Sequence, residues 1–449
     1  MNRIFLFIML IGFQLAYVQD DANASDNFSN IQAENMTRSV FAHYMVCCSS
    51  AGTDATIEDV KNEIKEAQAR GIDGFALNSG GWTKNDTFYR DQTALIYEAA
   101  RQLGTGFKLF VSMDFCCVNG AEELRDAIRT FRNHPNQLVY HGKPVISTYE
   151  GQDTGVNKGK DLIDVAKKED AIFVPYFYPV TVNSVLTQND VNQLFDLYPE
   201  LDGYFYFGAA ASTDEIVAAN RMHAEKWMGA NKLFLASVSP YYRGIGSNSR
   251  LFDTKGFEGM AQQWEGVIAN GASSVELVTW NDFVEATYIA PYGAPGSLEN
   301  VNGQWKQLLS HVAYLDASQY YIKWFKSGVR PEIEKDELFY FFRAEPKSAA
   351  RPTGELELGA FEGAQALQDE IYITTFLTAP ANLEVVSGRT VQTAYVDAGV
   401  QHIRLQFQIG QQRILLKRDG KTLIDKIAEI ETLDRGGATN LNYFGGSAR

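Results

Sequence analysis

A (β/α)8 TIM barrel followed by a C-terminal β-sandwich is the α/β architecture this sequence predicts, and three observations predict it. Eight short β-rich apolar runs recur between residues 40 and 330, amphipathic segments of helical spacing separate them, and beyond residue 331 the helical pattern gives way to short β runs. Strands alternating with helices pair in parallel through right-handed crossovers, and eight such units are the number that closes a barrel. An open doubly wound sheet would place a glycine-rich phosphate turn after its first strand, and VFAHYMVCCSS (40–50) contains no glycine.

Taken in order, the chain opens on Arg3, an apolar run at 4–13, and polar Gln19, Asp20 and Asp21. This pattern predicts a signal peptide over 1–19, since a bilayer span needs about 20 apolar residues. A buried amphipathic helix is the other reading. Residues 20–38 are polar and without periodicity, a flexible leader. Sequons stand at Asn23, Asn27, Asn35 and Asn85, and both glycosylation and chance occurrence in Asn- and Ser-rich sequence stay open.

The barrel is expected over 39–331. Its strands are VFAHYMV (40–46), IDGFALN (72–78), KLFVSMDF (108–115), PVISTYEG (144–151), AIFVPYF (171–177), LDGYFYFG (201–208), KLFLASVS (232–239) and SVELVTW (274–280). Helices are expected at 57–70, 92–103, 121–132, 160–168, 191–197, 213–228, 256–269 and within 301–326. From 332 to 449, runs such as ELFYFFRAEP, EIYITTFLTAP and QRILLKRDGKTLI, with a turn signal at Asp419-Gly420, predict a sandwich of about 110 residues. Covering one side of the barrel is its expected role, with ligand binding as the alternative.

The four cysteines form two vicinal pairs, Cys47 with Cys48 and Cys116 with Cys117, each after a strand. Bonds between the two loops are easier to make than a strained bond between sequence neighbours, and three pairings stay open. Adjacent cysteines poorly suit a structural zinc site, whose ligands are usually two to four residues apart.

Composition narrows the function. A net charge of −15 argues against a surface for nucleic acid and fits a neutral partner such as a sugar polymer. None of the six histidines lies in an H-x-H or H-E-x-x-H pattern, and G-x-S-x-G is absent, so neither a metal nor a cofactor is expected. In such a barrel the chemistry sits at the C-terminal strand ends, which here carry Asn78, Asp114, Glu150, Tyr176, Tyr178, Tyr206, Ser239, Tyr241, Trp280, Asn281, Asp282 and Glu285, with His43 inside the first strand. Sugar rings suit that mixture: their C–H faces stack on aromatic rings and their hydroxyls bond to carboxylates and amides.

The stretch VELVTWNDFVEATYI (275–289) carries the strongest signal, because strand alternation breaks just before Asp282 and Glu285. Residues three apart point to opposite faces of a strand but share a side in one turn, so the two acids can cooperate only once the strand has ended. An acid pair favoured by a helix N-terminus is the blander reading.

Several motifs in one order, VFAHYMV, GIDGFALN, GTGFKLFVSMDF, GKPVISTYEG, SVSPYY and VTWNDFVEATYI, resemble glycoside hydrolase family 71, the α-1,3-glucanases or mutanases, over most of 40–330. The resemblance implies a (β/α)8 barrel and inverting hydrolysis of α-1,3-glucan, with Trp280, Asn281, Asp282 and Glu285 matching the family's W-N-D-x-x-E motif. The expected signal peptide makes this a secreted protein with no membrane partner once the signal is removed, the acidic charge argues against a nucleic-acid partner, and a monomer is expected. By analogy with the related W-N-E-x-x-E endomannosidases, Glu285 is the acid and Asp282 the base; the reverse order stays open, as does help from Asp114 or Glu150. The expected substrate contacts are His43, Asn78, Asp114, Glu150, Tyr178, Tyr206, Ser239, Trp280 and Asn281. The vicinal cysteines are not part of the family pattern. A hydrolase of another α-glycan, mannan-type, and a non-catalytic carbohydrate-binding protein are the alternatives.

Overall fold

The computed structural model of the protein describes residues 38–82, 87–115, 117–118, 120–152, 156–178, 185–244, 248, 250–291, 308–347, 362–434 and 441–449. The expected signal peptide, the leader up to residue 37, all four sequons and Cys116 lie outside the described residues. Strand and helix alternate as β1 (Ser39–Met45), α1 (Ile57–Ala69), β2 (Gly74–Ser79), α2 (Phe88–Leu103), β3 (Lys108–Asp114), α3 (Ala121–Phe131), β4 (Lys143–Tyr149) and α4 (Val156–Lys168). They continue as β5 (Ile172–Phe173), α5 (Gln188–Leu197), β6 (Gly203–Phe205), α6 (Thr213–Gly229), β7 (Leu233–Val238), α7 (Phe257–Asn270), β8 (Ser274–Leu277) and α8 (Val312–Ser327). Three helix starts are fixed by reciprocal capping boxes, Thr56 with Asp59, Thr187 with Asp190 and Ser212 with Glu215, which satisfy main-chain N–H groups that have no partner within the helix.

The eight strands pair in parallel in the order β5-β4-β3-β2-β1-β8-β7-β6, a sheet curled so that the first strand lies beside the last. The expected closed barrel is met only in part. Between β5 and β6 there is no ladder among the described residues; the main-chain N–H of Phe205 donates to the carbonyl of Pro175 at 3.0 Å. Pro175 explains the seam, because a proline has no N–H to carry a ladder on, and it cuts the expected strand 171–177 to two residues. Elsewhere the strands approach closely: a Cβ on Gly74 would lie 2.2 Å from the carbonyl oxygen of Lys108.

Alternation divides each strand between the interior of the curl and the helices. Phe41 packs edge-on against Phe110 at 5.3 Å and His43 lies against Phe205 and Phe207, so these face inward. Tyr44 instead packs on Phe75 and meets Glu63 of α1 on the outer side.

Eight further strands follow: β9 (Glu337–Arg343), β10 (Glu370–Leu377), β11 (Ala381–Ser387), β12 (Thr390–Val396), β13 (Gly399–Gln406), β14 (Gly410–Arg418), β15 (Lys421–Thr432) and β16 (Tyr443–Ala448). They form two antiparallel sheets, β13-β10-β9-β16 and β12-β11-β14-β15. The unbroken apolar run of β9 follows from burial on both faces. Leu338, Tyr340 and Phe342 join the core between the two sheets, while Phe339 and Phe341 pack on the helices of the α/β unit. Phe341 meets Tyr314 of α8 at 4.4 Å and Phe376 meets Tyr320 at 5.2 Å. No helix among the described residues is long and apolar enough to cross a membrane.

The shared core makes a stability prediction. Phe341→Ala leaves a cavity between β9 and α8 and costs about 3–5 kcal/mol in denaturant unfolding. Tyr395→Ala, at a side chain 69% exposed on the outer sheet, changes stability by less than about 0.5 kcal/mol.

Candidate active site

β8 ends at Leu277, and the segment after it folds into a tightly braced loop. Thr279 pairs with Thr287 through both main chain (N to O, 3.0 Å) and hydroxyls (3.0 Å), pinching the loop at its base. The Thr279 hydroxyl also accepts from Asp282 N at 2.8 Å. Trp280 N donates to the carbonyl of His43 at 2.7 Å, and Arg243 N to the carbonyl of Glu285 at 2.8 Å, so neighbouring segments hold both sides of the loop. Within it, Asp282 Oδ1 accepts from Glu285 N at 2.9 Å. That bond closes a single turn, placing the two acidic side chains on one side of the chain. Ala286 follows with φ 56°, and Glu150, at the end of β4, has φ 58°; both are strained left-handed positions next to the acids.

The two carboxyl groups occupy unequal surroundings. Glu285 Oε1 accepts from the hydroxyl of Tyr242 at 2.8 Å and from Asn248 Nδ2 at 3.3 Å. Burial and then the charge of Asp282 push its pKa up to about 8, against the opposing pull of Tyr242 and Arg250. Asp282 is also raised by burial, and further by Asp114. Main-chain N–H groups of Glu285 and Val284 and the nearby His43 work in the other direction. Both carboxyls are thus raised by burial, and it is Asp282 that main-chain N–H groups and His43 offset, while Glu285 also bears the charge of its neighbour.

The other expected contacts fall into two groups. Asn78 and Asp114 end β2 and β3 side by side, with Asn78 Nδ2 donating to Asp114 Oδ2 at 3.3 Å. Tyr178 meets Tyr149 hydroxyl to hydroxyl at 3.2 Å, and Tyr176 packs on both rings. Glu150 acts on the charge of Tyr176, and its carbonyl accepts from Thr148. Of these, Asp114 acts on the charge of Asp282, and Tyr149 lies within reach of the charge of Glu285.

The second group is turned away. Trp280 is fully buried with its ring against Phe75, on the outer side of the sheet. Asn281 is fully buried, its amide accepting from Met45 N and donating to the carbonyls of Met45 and Cys48. Ser239 stands apart from both groups: it is fully buried, its main chain is held by Gln263, and its hydroxyl has no hydrogen-bond partner among the described residues. Tyr206 lies over His223 of α6, while its neighbour Phe207 takes the inward position against His43, Tyr149 and Tyr176. Tyr241 donates to the carbonyl of Leu441 at the contact with the sandwich. A one-residue error of phase at a strand end is enough to exchange Tyr206 for Phe207 and Tyr241 for Tyr242.

Residues that the strand-end reading passed over are Tyr149, Phe207, Tyr242, Asn248, Arg250 and Glu276. Glu276 left a readable signal: a charge at an inward position of an otherwise apolar strand. The cysteines also differ from expectation, since Cys47 is bonded to Cys48 rather than across to the second loop. That bond lies in the turn leaving β1, where Cys48 N donates to the carbonyl of Met45. No group of three or more His, Cys, Asp or Glu side chains fit to hold a metal occurs among the described residues.

Comparison with known proteins gives the family and the fold. The family model of glycosyl hydrolase family 71 matches residues 36–449. A mutanase of Penicillium rubens is 28% identical, over 94% of this chain and 91% of its own. A glucan endo-1,3-alpha-glucosidase of Schizosaccharomyces pombe is also 28% identical, over 93% of this chain and 96% of its own. Among solved structures, the GH99 endo-alpha-mannosidase of Bacteroides thetaiotaomicron aligns with TM-score 0.50 at 17% identity, over 64% of this chain and 97% of that one, a likeness of fold.

The raised pKa of Glu285 has a signed consequence for stability. A carboxyl whose folded pKa lies above its unfolded value contributes stability below the unfolded pKa, near 4.5, and loses it as pH rises to about 8. Glu285→Gln should therefore melt with the wild type at pH 4 and gain on it through pH 8, by on the order of a few °C. Thermal melts of the two proteins across that range check it.

Proposed function

Because the chain belongs to glycosyl hydrolase family 71, we propose that it hydrolyses the α-1,3-linkages of fungal-wall glucan or mutan, with inversion at the anomeric carbon. The observation that carries this reading is the Asp282–Glu285 turn, which sets two carboxyls side by side in unequal surroundings; in this reading Glu285 holds the proton and Asp282 is ionised. The names of the relatives, mutanase and glucan endo-1,3-alpha-glucosidase, supply the substrate class.

In this mechanism Glu285 protonates the glycosidic oxygen as the bond to the anomeric carbon breaks. Asp282 takes a proton from the water that attacks that carbon on the opposite face. The hydroxyl of Tyr242 holds the Glu285 carboxyl in place. Asn78, Asp114, Glu150, Tyr149 and Tyr178 stand where sugar hydroxyls and ring faces would be met, with His43 beneath them. The curled sheet works as a closed barrel, its β5–β6 seam completed by side-chain packing, and the sandwich serves as a brace. The reading carries with it a secreted monomer that uses no cofactor, with the apolar run at 4–13 as its export signal. A buried acid pair is costly and of no use to a protein that only binds sugar, which disfavours the non-catalytic alternative.

Glu285→Gln and Asp282→Asn should each lower kcat on α-1,3-glucan by about 10²–10⁴-fold while the proteins remain folded. Proton NMR of the first product should show the β-anomer, the inverted outcome. An α-anomer would reject inversion, and turnover confined to α-mannan would reject the substrate.

A further inference from the structure

Inside the curl, on the neighbouring strands β1 and β8, lies a second pair that the mechanism above leaves without a task. His43 on β1 and Glu276 on β8 are 0% and 1% exposed, with Nδ1 and Oε1 2.6 Å apart. The strands that carry them are neighbours, Phe41 being in register with Glu276. A charged residue buried in the middle of an apolar strand is expensive unless it is matched by a partner, and the imidazole Nδ1–H is that partner. A carboxylate at Nδ1 also fixes which ring nitrogen carries the proton and how the ring is turned.

The other ring nitrogen, Nε2, is buried and has no hydrogen-bond partner among the described residues. Phe205 and Phe207 hold the ring at centroid distances of 6.1 and 5.2 Å, and the carbonyl of His43 anchors Trp280 N, the start of the catalytic loop. The ring is close enough to Asp282 to act on its charge. So the ring whose charge reaches Asp282 carries an oriented polar atom with no hydrogen-bond partner among the described residues.

We propose that Glu276 and His43 are a positioning pair for the attacking water: Glu276 fixes the imidazole through Nδ1, and Nε2 holds the water that Asp282 deprotonates. This rests on the inverting reading above. The water oxygen bonds to the anomeric carbon, its proton passes to Asp282, the bond to the leaving oxygen breaks, and that oxygen takes the proton of Glu285. His43 keeps its Nδ1 proton and Glu276 stays a carboxylate throughout. A turn that brings Asp282 and Glu285 together leaves the placement of water to a third group, and Nε2 supplies it.

Four variants test the pair with α-1,3-glucan as substrate. Glu276→Leu and His43→Phe should each lower kcat by about 100-fold with KM within twofold, the scale of a misplaced reactant. Glu276→Gln keeps an acceptor for Nδ1–H and should recover kcat to within tenfold of wild type. The double variant should be no slower than the slower single one, as for residues acting as a unit. Changes in KM alone, or multiplying losses, would overturn the proposal. Should the Leu or Phe variant fail to fold, Glu276→Gln and His43→Gln carry the same comparison, with only the second expected to be slow. A crystal structure of Asp282→Asn, which needs no substrate, separates the two readings: a water bonded to Nε2 and residue 282 supports the pair even if wild type proves inactive on α-1,3-glucan. Ordered solvent around the acids with none at Nε2 rejects it.

Discussion

Two carboxyl groups three residues apart, closed into one turn and half-withdrawn from water, cannot both carry their charge without mutual repulsion. Their surroundings decide which one yields. Main-chain N–H groups of Val284 and Glu285 point at Asp282, whereas Glu285 is given a phenol and an amide and the field of its neighbour. Much of the rest of the molecule can be understood as what is needed to hold that unequal arrangement rigid. A loop free to relax would let the two side chains separate and return both to ordinary carboxylate behaviour.

Rigidity comes from three directions. From β1, Asn281 ties the loop to Met45 and Cys48, and the Cys47–Cys48 turn is in turn anchored by Glu63 of α1, which accepts from Ser49 and Ser50. From the segment after β7, Arg243 and Tyr242 grip the main chain and side chain of Glu285. From the sandwich comes a chain of buried contacts behind the loop. Asn442 donates to the hydroxyl of Tyr288 and meets His311, whose ring stacks on Tyr288 at 4.2 Å, and Tyr288 in turn packs on Phe283 in the loop itself. The sandwich is thus joined to the turn of the acid pair by packing, not merely appended to the chain.

The α/β pattern was legible because each strand and helix announces itself locally. Apolar runs such as KLFLASVS and amphipathic segments such as TDEIVAANRMHAEKWMG need no tertiary information to be read. The seam at β5 was less so, although Pro175 was in plain view: its effect depends on which neighbour its missing N–H would have faced. At the site, Asp282 and Glu285 stood out because the loss of alternation marks where a strand stops. What could not be read was phase. Tyr206 against Phe207, and Tyr241 against Tyr242, differ by one residue, and only the exact end of the strand settles which side chain turns inward. Trp280 and Asn281 look like ligand contacts by composition, yet the chain needs them as a wedge and a clamp. Glu276 was hidden by its company, since a strand of apolar residues draws attention from the one charge within it.

The claim on which the account stands is that Glu285 is protonated while Asp282 is ionised at neutral pH. Carbon-detected NMR of protein labelled at the side-chain carboxyls of Asp and Glu, with the two resonances assigned by Glu285→Gln and Asp282→Asn, measures this directly. The account predicts that Glu285 titrates near pH 8, after Asp282 has lost its proton. A Glu285 carboxyl already ionised at pH 5, or an Asp282 that releases its proton last, would contradict it.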